Sequence, residues 1–187
     1  TPIDGMPVYK EWEAVSSLAD GKMVISEFGV EAMRRQGIQV DHCPPGVDTG
    51  EFYPALPEEK AELREKAGIR SGAFVVGMFC MNQGRKAIPN QMEGFMEFAR
   101  DKPEALLYLD MDEVSPAGWN IPMLAEAMGL STTKILLRKH VAPVLPNLRD
   151  RYALLDCHGV LAFREGFGLP LLESLACRIP TFALDWC

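Results

Sequence analysis

The chain of 187 residues is poor in cysteine and histidine and has no long apolar run, and each shortage excludes a class of protein. Its five cysteines are scattered and form no C-x-x-C pair, so we expect neither a disulfide framework nor a zinc site. None of the three histidines pairs with another at ligand spacing. A membrane-spanning helix needs roughly 18 consecutive apolar residues, which the sequence lacks. A reducing, cytoplasmic location is therefore the default expectation.

Positive charge is also scarce. The formal net charge is −7, and no basic block or aromatic-interleaved basic stripe occurs. Nucleic-acid affinity depends largely on neutralising phosphates with Lys and Arg, so a nucleic-acid partner is not expected. With 48% hydrophobic and 24% charged residues, the composition is that of an ordinary globular protein.

From Phe74 onward, short apolar runs alternate with amphipathic stretches, which predicts an α/β fold: a Rossmann-like parallel sheet with helices on both faces. Strands are predicted over 74–79, 105–109, 135–137, 159–163 and 181–184. Helices are predicted over 58–67, 88–100, 123–128, 144–154 and 170–177. Closer to the N-terminus, we expect a helix over 12–18, a strand over 22–26 and a helix over 27–36. The Pro44-Pro45-Gly46 stretch is typical of a linker, so we place a boundary between residues 1–43 and 44–187. The ends do not look like natural domain boundaries, and we expect a fragment whose second domain is incomplete at its C-terminus.

The stretch from Glu165 to Glu173 combines two acids, a flexible loop and a helix start. Gly166 and Gly168 allow the loop backbone to approach a ligand closely. Pro170 suits the first position of a helix, which places Glu173 in the first turn. Exposed N–H groups at a helix start favour phosphate or sugar oxygens, while carboxylates accept hydrogen bonds from hydroxyls. A phosphorylated sugar fits this mixture, although each acid could instead be a solvated loop carboxylate or a favourable helix-end charge.

Two adjacent cations, Arg85 and Lys86, follow the strand over 74–79 and precede Pro89, which again suits a helix start. Arg can bind a phosphate in a bidentate manner and Lys acts as a point charge, so the pair could neutralise a diphosphate. An isolated Arg-Lys pair is more often a solvated surface feature.

A second acidic cluster, Asp110-Met-Asp112-Glu113, follows the strand over 105–109. A D-x-D pair can hold a divalent metal against a sugar diphosphate. Such a cluster past a strand end is more often a solvated turn, so we expect no metal.

Three motifs in order give the sequence its family resemblance. The E-x7-E pair with FGLP inside it resembles the donor-sugar signature of retaining GT-B glycosyltransferases, particularly family 4, the group 1 glycosyl transferases. The stretch from Pro44 to Pro54 is similar to that family's interdomain crossover. The stretch from Val75 to Lys86 is similar to its first donor-domain strand with the phosphate-binding Arg and Lys.

The resemblance implies a donor-binding C-terminal domain preceded by a remnant of the acceptor domain. By this resemblance, Arg85 and Lys86 bind the diphosphate of a nucleotide sugar, and Glu173 binds the ribose hydroxyls. The resemblance assigns the sugar hydroxyls to Glu165 and the neighbouring loop, Gly166, Phe167, Gly168 and Leu169. The nucleotide base falls near His140 and Val141.

The implied activity is metal-independent transfer of a hexosyl unit from a nucleotide-diphosphate sugar, with no cofactor, to a carbohydrate, lipid or protein acceptor. Peripheral membrane association is expected through the missing N-terminal domain, and the fragment alone is expected to be inactive. Two alternatives stay open: a nucleotide-sugar-binding module without transferase activity, and a GT-B phosphorylase or epimerase.

Overall fold

The computed structural model describes residue 14 and residues 17–184, which group into two compact units. The first unit holds the N-terminal residues through Gly46 together with Arg164–Leu169. The second unit holds Val47–Phe163 and Pro170–Leu184. Within the described residues no helix is long and apolar enough to cross a membrane.

Among residues 17–46, the first unit contains a short parallel strand pair and one helix. Strands β1 (Met23–Val24) and β2 (Asp41–His42) flank helix α1 (Glu27–Arg34). The side chain of Ser26 accepts a hydrogen bond from the Gly29 amide and so caps the first turn of α1. Most of the helix predicted over 12–18 lies outside the described residues.

The second unit is an α/β domain of five strands and six helices, with two 3₁₀ turns. The strands are β3 (Phe74–Phe79), β4 (Ala105–Asp110), β5 (Ile135–Leu137), β6 (Cys157–Val160) and β7 (Thr181–Ala183). The helices are α2 (Pro57–Lys66), α3 (Ile88–Phe98), α4 (Ile121–Met128), α5 (Arg138–Val141), α6 (Leu148–Ala153) and α7 (Leu169–Ala176, whose first residue groups with the first unit). The 3₁₀ turns are Gly84–Lys86 and Thr132–Lys134.

The five strands form one parallel sheet in the order β5-β4-β3-β6-β7. After β3, the strands β4 and β5 are therefore added on one side of it. Strand β6 then pairs with the other side of β3, and β7 pairs with β6. The Rossmann-like fold predicted from the alternating pattern is confirmed.

Both faces of the sheet are covered. On one face, Val76 and Met78 of β3 pack in a core with residues of α3 and α4. On the other, Val75 and Phe79 pack in a core with residues of α2 and α6. Alternation of side chains along a strand sends neighbouring residues to opposite faces, which is why a nearly continuous apolar sequence forms this central strand.

Gly77 at the middle of β3 is required by close packing. A Cβ atom at this position would lie 2.4 Å from Cδ1 of Leu155, the residue after the end of α6 and its cap. The absence of a side chain lets the segment after α6 lie directly on the sheet.

Several predicted boundaries need correction. Strand β6 begins at Cys157, two residues before the prediction, because Cys157 and His158 pair in register with Val76 and Gly77 of β3. It ends at Val160 rather than at residue 163. The helix predicted over 144–154 is shortened to Leu148–Ala153, since Pro146 disfavours helical backbone at the residue before it, Leu145.

Helix α2 is anchored to the sheet by its cations. Arg64 and Lys60 reach the two carboxylate oxygens of Asp156 at 2.6 and 3.0 Å. The backbone amide of Val75 donates to Asp156 at 2.8 Å. Asp156 thus joins α2, β3 and the start of β6.

Candidate functional site

The site predicted from the sequence falls at the point where the strand order reverses. Strands β3 and β6 lie side by side and parallel, but the connections after them go in opposite directions. Open α/β folds bind their ligands at such a point, in the crevice at the carboxyl edge of the sheet. Arg85 and Lys86 follow β3, and Glu173 follows β6.

The two cations occupy the 3₁₀ turn between β3 and α3. Lys86 is 8% exposed, and Nε of Arg85 donates to Oε1 of Gln83 at 3.2 Å. Ala87 follows in the left-handed region with φ of 48° and acts as the N-cap of α3, without a side-chain capping bond. The start of α3 at Ile88, followed by Pro89, confirms the helix start predicted there.

A backbone hydrogen bond joins the two strand ends. The amide of Phe163 donates to the carbonyl oxygen of Arg85 at 2.8 Å. Phe163 precedes Glu165 by two positions in the sequence. The segments after β3 and β6, which are almost 80 residues apart in the chain, therefore meet at the switch point.

Glu173 is oriented by a buried tyrosine. The hydroxyl of Tyr152, on α6, donates to Oε2 of Glu173 at 2.7 Å. Burial, with Glu173 beside it, raises the pKa of Tyr152 well above its ordinary value, so the hydroxyl keeps its proton and remains a donor. Helix α7 begins at Leu169, as predicted, but Glu173 is its fifth residue. The prediction that Glu173 lies in the first turn is therefore wrong.

An aromatic cluster supports Tyr152 from below. Its ring stacks on that of Phe79 with centroids 4.3 Å apart, and His158 meets both rings edge-on. His158 is fully buried, and its Nε2 accepts a hydrogen bond from the Phe79 amide at 3.3 Å. Burial lowers the pKa of His158 to about 4, which keeps it neutral.

The acids at the end of β4 and directly after it lie beside cations. Oδ2 of buried Asp110 is 2.5 Å from the Tyr108 hydroxyl and 2.7 Å from Nε of Arg151. The Arg151 contact is a charge contact rather than an aligned hydrogen bond. Oδ1 of Asp112 lies 3.4 Å from Nη1 of Arg138, and Oε2 of Glu113 lies 2.8 Å from Nζ of Lys139. No group of three or more potential metal ligands occurs within the described residues.

The two residues predicted near the base lie in α5, directly after β5. His140 is exposed, whereas the side chain of Val141 is fully buried in the core. Any contact of Val141 with a ligand is thus confined to its backbone.

The loop of residues 164–169 groups with the first unit. Within it, Oε1 of Glu165 accepts a hydrogen bond from the Gly166 amide at 3.2 Å. Gly168 has φ of 84°, which favours glycine over any other residue. The roles predicted for Glu165, Gly166, Phe167, Gly168 and Leu169 stay predictions.

Sequence reasoning missed the residues that support the predicted ones. Tyr152 lies in the helix Leu148–Ala153, half of whose residues are charged, so the local pattern does not mark its hydroxyl as buried. Gln91, on α3, donates to the carbonyl oxygens of Lys86 and Leu161 but has no sequence signal either, since a glutamine within a helix is ordinarily solvated.

The fold is a Rossmann-like α/β domain of the kind found in GT-B glycosyltransferases, and comparison with known proteins agrees. The chain resembles sucrose-phosphate synthase of Thermosynechococcus elongatus, with a TM-score of 0.72, 21% identity, and coverage of 91% of this chain and 42% of that one. At this identity the likeness concerns the fold alone.

Sequence comparison points the same way. The chain is 28% identical over 151 residues to a GDP-mannose-dependent alpha-(1-6)-phosphatidylinositol monomannoside mannosyltransferase of Mycolicibacterium smegmatis, covering 77% of this chain and 38% of the relative. It is 30% identical over 150 residues to a D-inositol 3-phosphate glycosyltransferase of Segniliparus rotundus, covering 78% of this chain and 31% of the relative. The chain thus spans about a third of these relatives' length. No family model matches it. The similarities support the resemblance to group 1 glycosyltransferases of the GT-B fold.

Proposed function

We propose that the chain provides the donor half of a glycosyltransferase and binds a nucleotide-diphosphate sugar at the carboxyl edge of its sheet. The observation that carries this proposal is the hydrogen bond between Phe163 and Arg85 at the switch point. It brings the cationic turn after β3 beside the end of β6, where ligands bind in folds of this topology.

Arg85 and Lys86 have the chemistry to bind the diphosphate. When the bond between sugar and diphosphate breaks, negative charge grows on the leaving oxygens. Fixed cations and the amide groups at the start of α3 would stabilise that charge without reorganising. This stabilisation is the catalytic contribution that we assign to the chain, and it requires no metal.

Glu173 has the chemistry to bind the ribose. Its Oε2 is engaged by Tyr152, which fixes the carboxylate so that Oε1 can accept hydrogen bonds from vicinal hydroxyls. The sugar contacts of Glu165 and the retaining stereochemistry are part of the same proposal and rest on the family resemblance. The acceptor half and the complete transfer reaction belong to the longer relatives.

Isothermal titration of the 187-residue chain tests the proposal. Because one relative is named as GDP-mannose-dependent, GDP-mannose and GDP are the first ligands, followed by UDP-glucose and UDP. We expect one base to bind in both its sugar-linked and free diphosphate forms, and inorganic pyrophosphate to bind much more weakly. Absence of binding to guanine, uracil and adenine nucleotides alike would refute the proposal.

Product analysis with a complementary acceptor half separates the reaction classes. Transfer with retention gives a product whose anomeric configuration matches the donor, as seen by proton NMR. Tight donor binding without any product identifies a binding module, and release of a sugar phosphate or an epimer identifies the other GT-B reactions.

A further inference from the structure

The side chain of Gln91, on α3, bridges two backbone carbonyls at the switch point. Its Nε2 donates to the carbonyl oxygen of Lys86 at 2.7 Å and to that of Leu161 at 3.0 Å. Lys86 ends the turn after β3, and Leu161 directly follows β6. A single amide group therefore joins the ends of the two strands between which the order reverses.

Burying the polar side chain of Gln91 destabilises the fold unless its hydrogen bonds offset that cost. It is 5% exposed and lies on the buried side of α3 with Met92 and Ile88. Its Oε1 accepts no hydrogen bond within the described part of the chain, and burial of an unpaired polar atom is unfavourable. An unbranched apolar side chain of the same length would fill the space without that cost. The amide of Gln91 therefore contributes through its hydrogen bonds to the two carbonyl oxygens.

The bridge acts on a strained part of the backbone. Ala87 has φ of 48°, a left-handed conformation that is unfavourable for a residue with a Cβ atom. The carbonyl of Lys86, which Gln91 binds, belongs to the peptide unit directly before Ala87. Fixing that peptide unit sets the direction in which the chain leaves the turn and hence where the Lys86 side chain begins.

The bond between Phe163 and Arg85 is a second link between the same strand ends. Together the two links fix the carbonyls of both cationic residues, Arg85 and Lys86, to the segment after β6. Each link acts on the backbone of the cationic turn.

We propose that Gln91 is a positioning residue of the donor site, which holds the Arg85–Lys86 turn in the geometry that binds a diphosphate. This inference rests on the proposed function. Gln91 acts through the two cations and does not itself contact the nucleotide.

The test compares nucleoside diphosphate and monophosphate binding in variants of the full chain. The Gln91→Met variant keeps the volume and removes both donated bonds. We expect the ratio of GDP to GMP affinity, or of UDP to UMP affinity if uracil is the base that binds, to fall about tenfold. Affinity for the monophosphate should change less than twofold. The matched control is Asn90→Met, the neighbouring residue, which is exposed and should leave the ratio unchanged.

A double-mutant cycle with Lys86→Ala shows whether Gln91 works through the cation. Loss of Lys86 should remove most of the effect of Gln91→Met, because coupled residues are not additive. Fully additive losses, or an unchanged ratio in a folded Gln91→Met protein, would overturn the inference while leaving the proposed function intact. If the wild-type chain binds no nucleotide, the proposed function fails first.

Thermal unfolding establishes that the variants are folded, and Gln91→Leu, which also lacks hydrogen-bond donors, replaces Gln91→Met if that variant is not folded. If neither variant folds, NMR of the wild-type protein tests the positioning role of Gln91 instead. Added GDP or UDP should slow exchange of the Nε2 protons of Gln91, and unchanged exchange would contradict the positioning role.

Discussion

The Tyr152 hydroxyl holds Oε2 of Glu173 at 2.7 Å, and the two residues come from helices on opposite sides of β6 in the sequence. The ring of Tyr152 is fully buried and stacks on Phe79. The orientation of the predicted ribose-binding carboxylate therefore depends on a core residue.

Replacing Tyr152 with Phe should keep the ring packing and remove only the hydroxyl. Hydrogen bonds to charged groups contribute about 1.5–3 kcal/mol, and Glu173 is only half-buried, so we expect a loss of about 1–2 kcal/mol in the free energy of unfolding, measured by urea denaturation. Nucleoside diphosphate affinity should fall with it, because Glu173 loses its orientation. The exposed Tyr53 provides the control, and Tyr53→Phe should change neither quantity. Unaltered stability of Tyr152→Phe would show that the hydroxyl contact contributes nothing.

Replacing Lys86 with Ala should weaken nucleoside diphosphate binding roughly 10- to 100-fold, since a charge-assisted contact contributes about 1.5–3 kcal/mol. Calorimetry gives the affinity directly. Lys66, exposed at the end of α2, serves as the matched control, and Lys66→Ala should bind as the wild type does. An equal affinity in the Lys86 and Lys66 variants would remove Lys86 from the site.

Because His158 is buried, we expect the free energy of unfolding to fall in mild acid. Burial lowers its pKa to about 4 in the folded protein, against an ordinary value of 6.5. The unfolded chain therefore binds the proton first, and stability falls as the pH drops from 6.5 towards 4. This single group accounts for about 2 kcal/mol between pH 7.5 and pH 5.

Urea denaturation at pH 7.5 and pH 5 measures that loss. In His158→Gln, which cannot take up the proton, the difference between the two pH values should shrink by about 2 kcal/mol. The His42→Gln variant, changed at an exposed histidine, should keep the wild-type difference. Identical pH dependence in both variants would contradict the assignment to His158.

Removing the charge of Asp156 should loosen α2 from the sheet. Burial opposes ionisation of Asp156, but the Val75 amide, Arg64 and Lys60 together hold its pKa below the usual value. Its stabilisation is present above the ordinary pKa and is lost as the pH falls through the lowered one. We expect Asp156→Asn to reduce the free energy of unfolding by about 1–3 kcal/mol, after allowing for partial exposure.

Denaturation of Asp156→Asn beside Glu62→Gln, an exposed acid on the same helix α2, tests this expectation. Only the Asp156 variant should be destabilised. Equal behaviour would mean that the contacts of Lys60 and Arg64 are screened by solvent.

The sequence was most informative where the local pattern and the tertiary structure agree. Both ends of β3 were predicted correctly, because a continuous apolar run is what a central strand buried on both faces requires. The register of β6 could not be predicted, since Cys157 and His158 look like a turn until pairing with Val76 and Gly77 is known. The helix over 144–154 was predicted too long even though Pro146 carried the signal to stop it.

The candidate site shows the same division. The cations and the E-x7-E stretch stand out in the sequence because charged residues at strand-to-helix junctions are local features. Gln91 and Tyr152 do not, because their importance lies in contacts with residues tens of positions away: Leu161 for one and Glu173 for the other. No local pattern distinguishes a bridging glutamine from a solvated one.

Arg151 and Tyr152 are adjacent in the six-residue helix α6, yet they serve different acids: Asp110 at the end of β4 and Glu173 in α7. A rotation of this one short helix would disturb both carboxylates together. Movement of Glu173 would therefore be transmitted through α6 to Asp110 and to Tyr108, whose hydroxyl donates to Asp110. A spectroscopic probe placed near Tyr108 should then report ligand binding that shifts the carboxylate of Glu173.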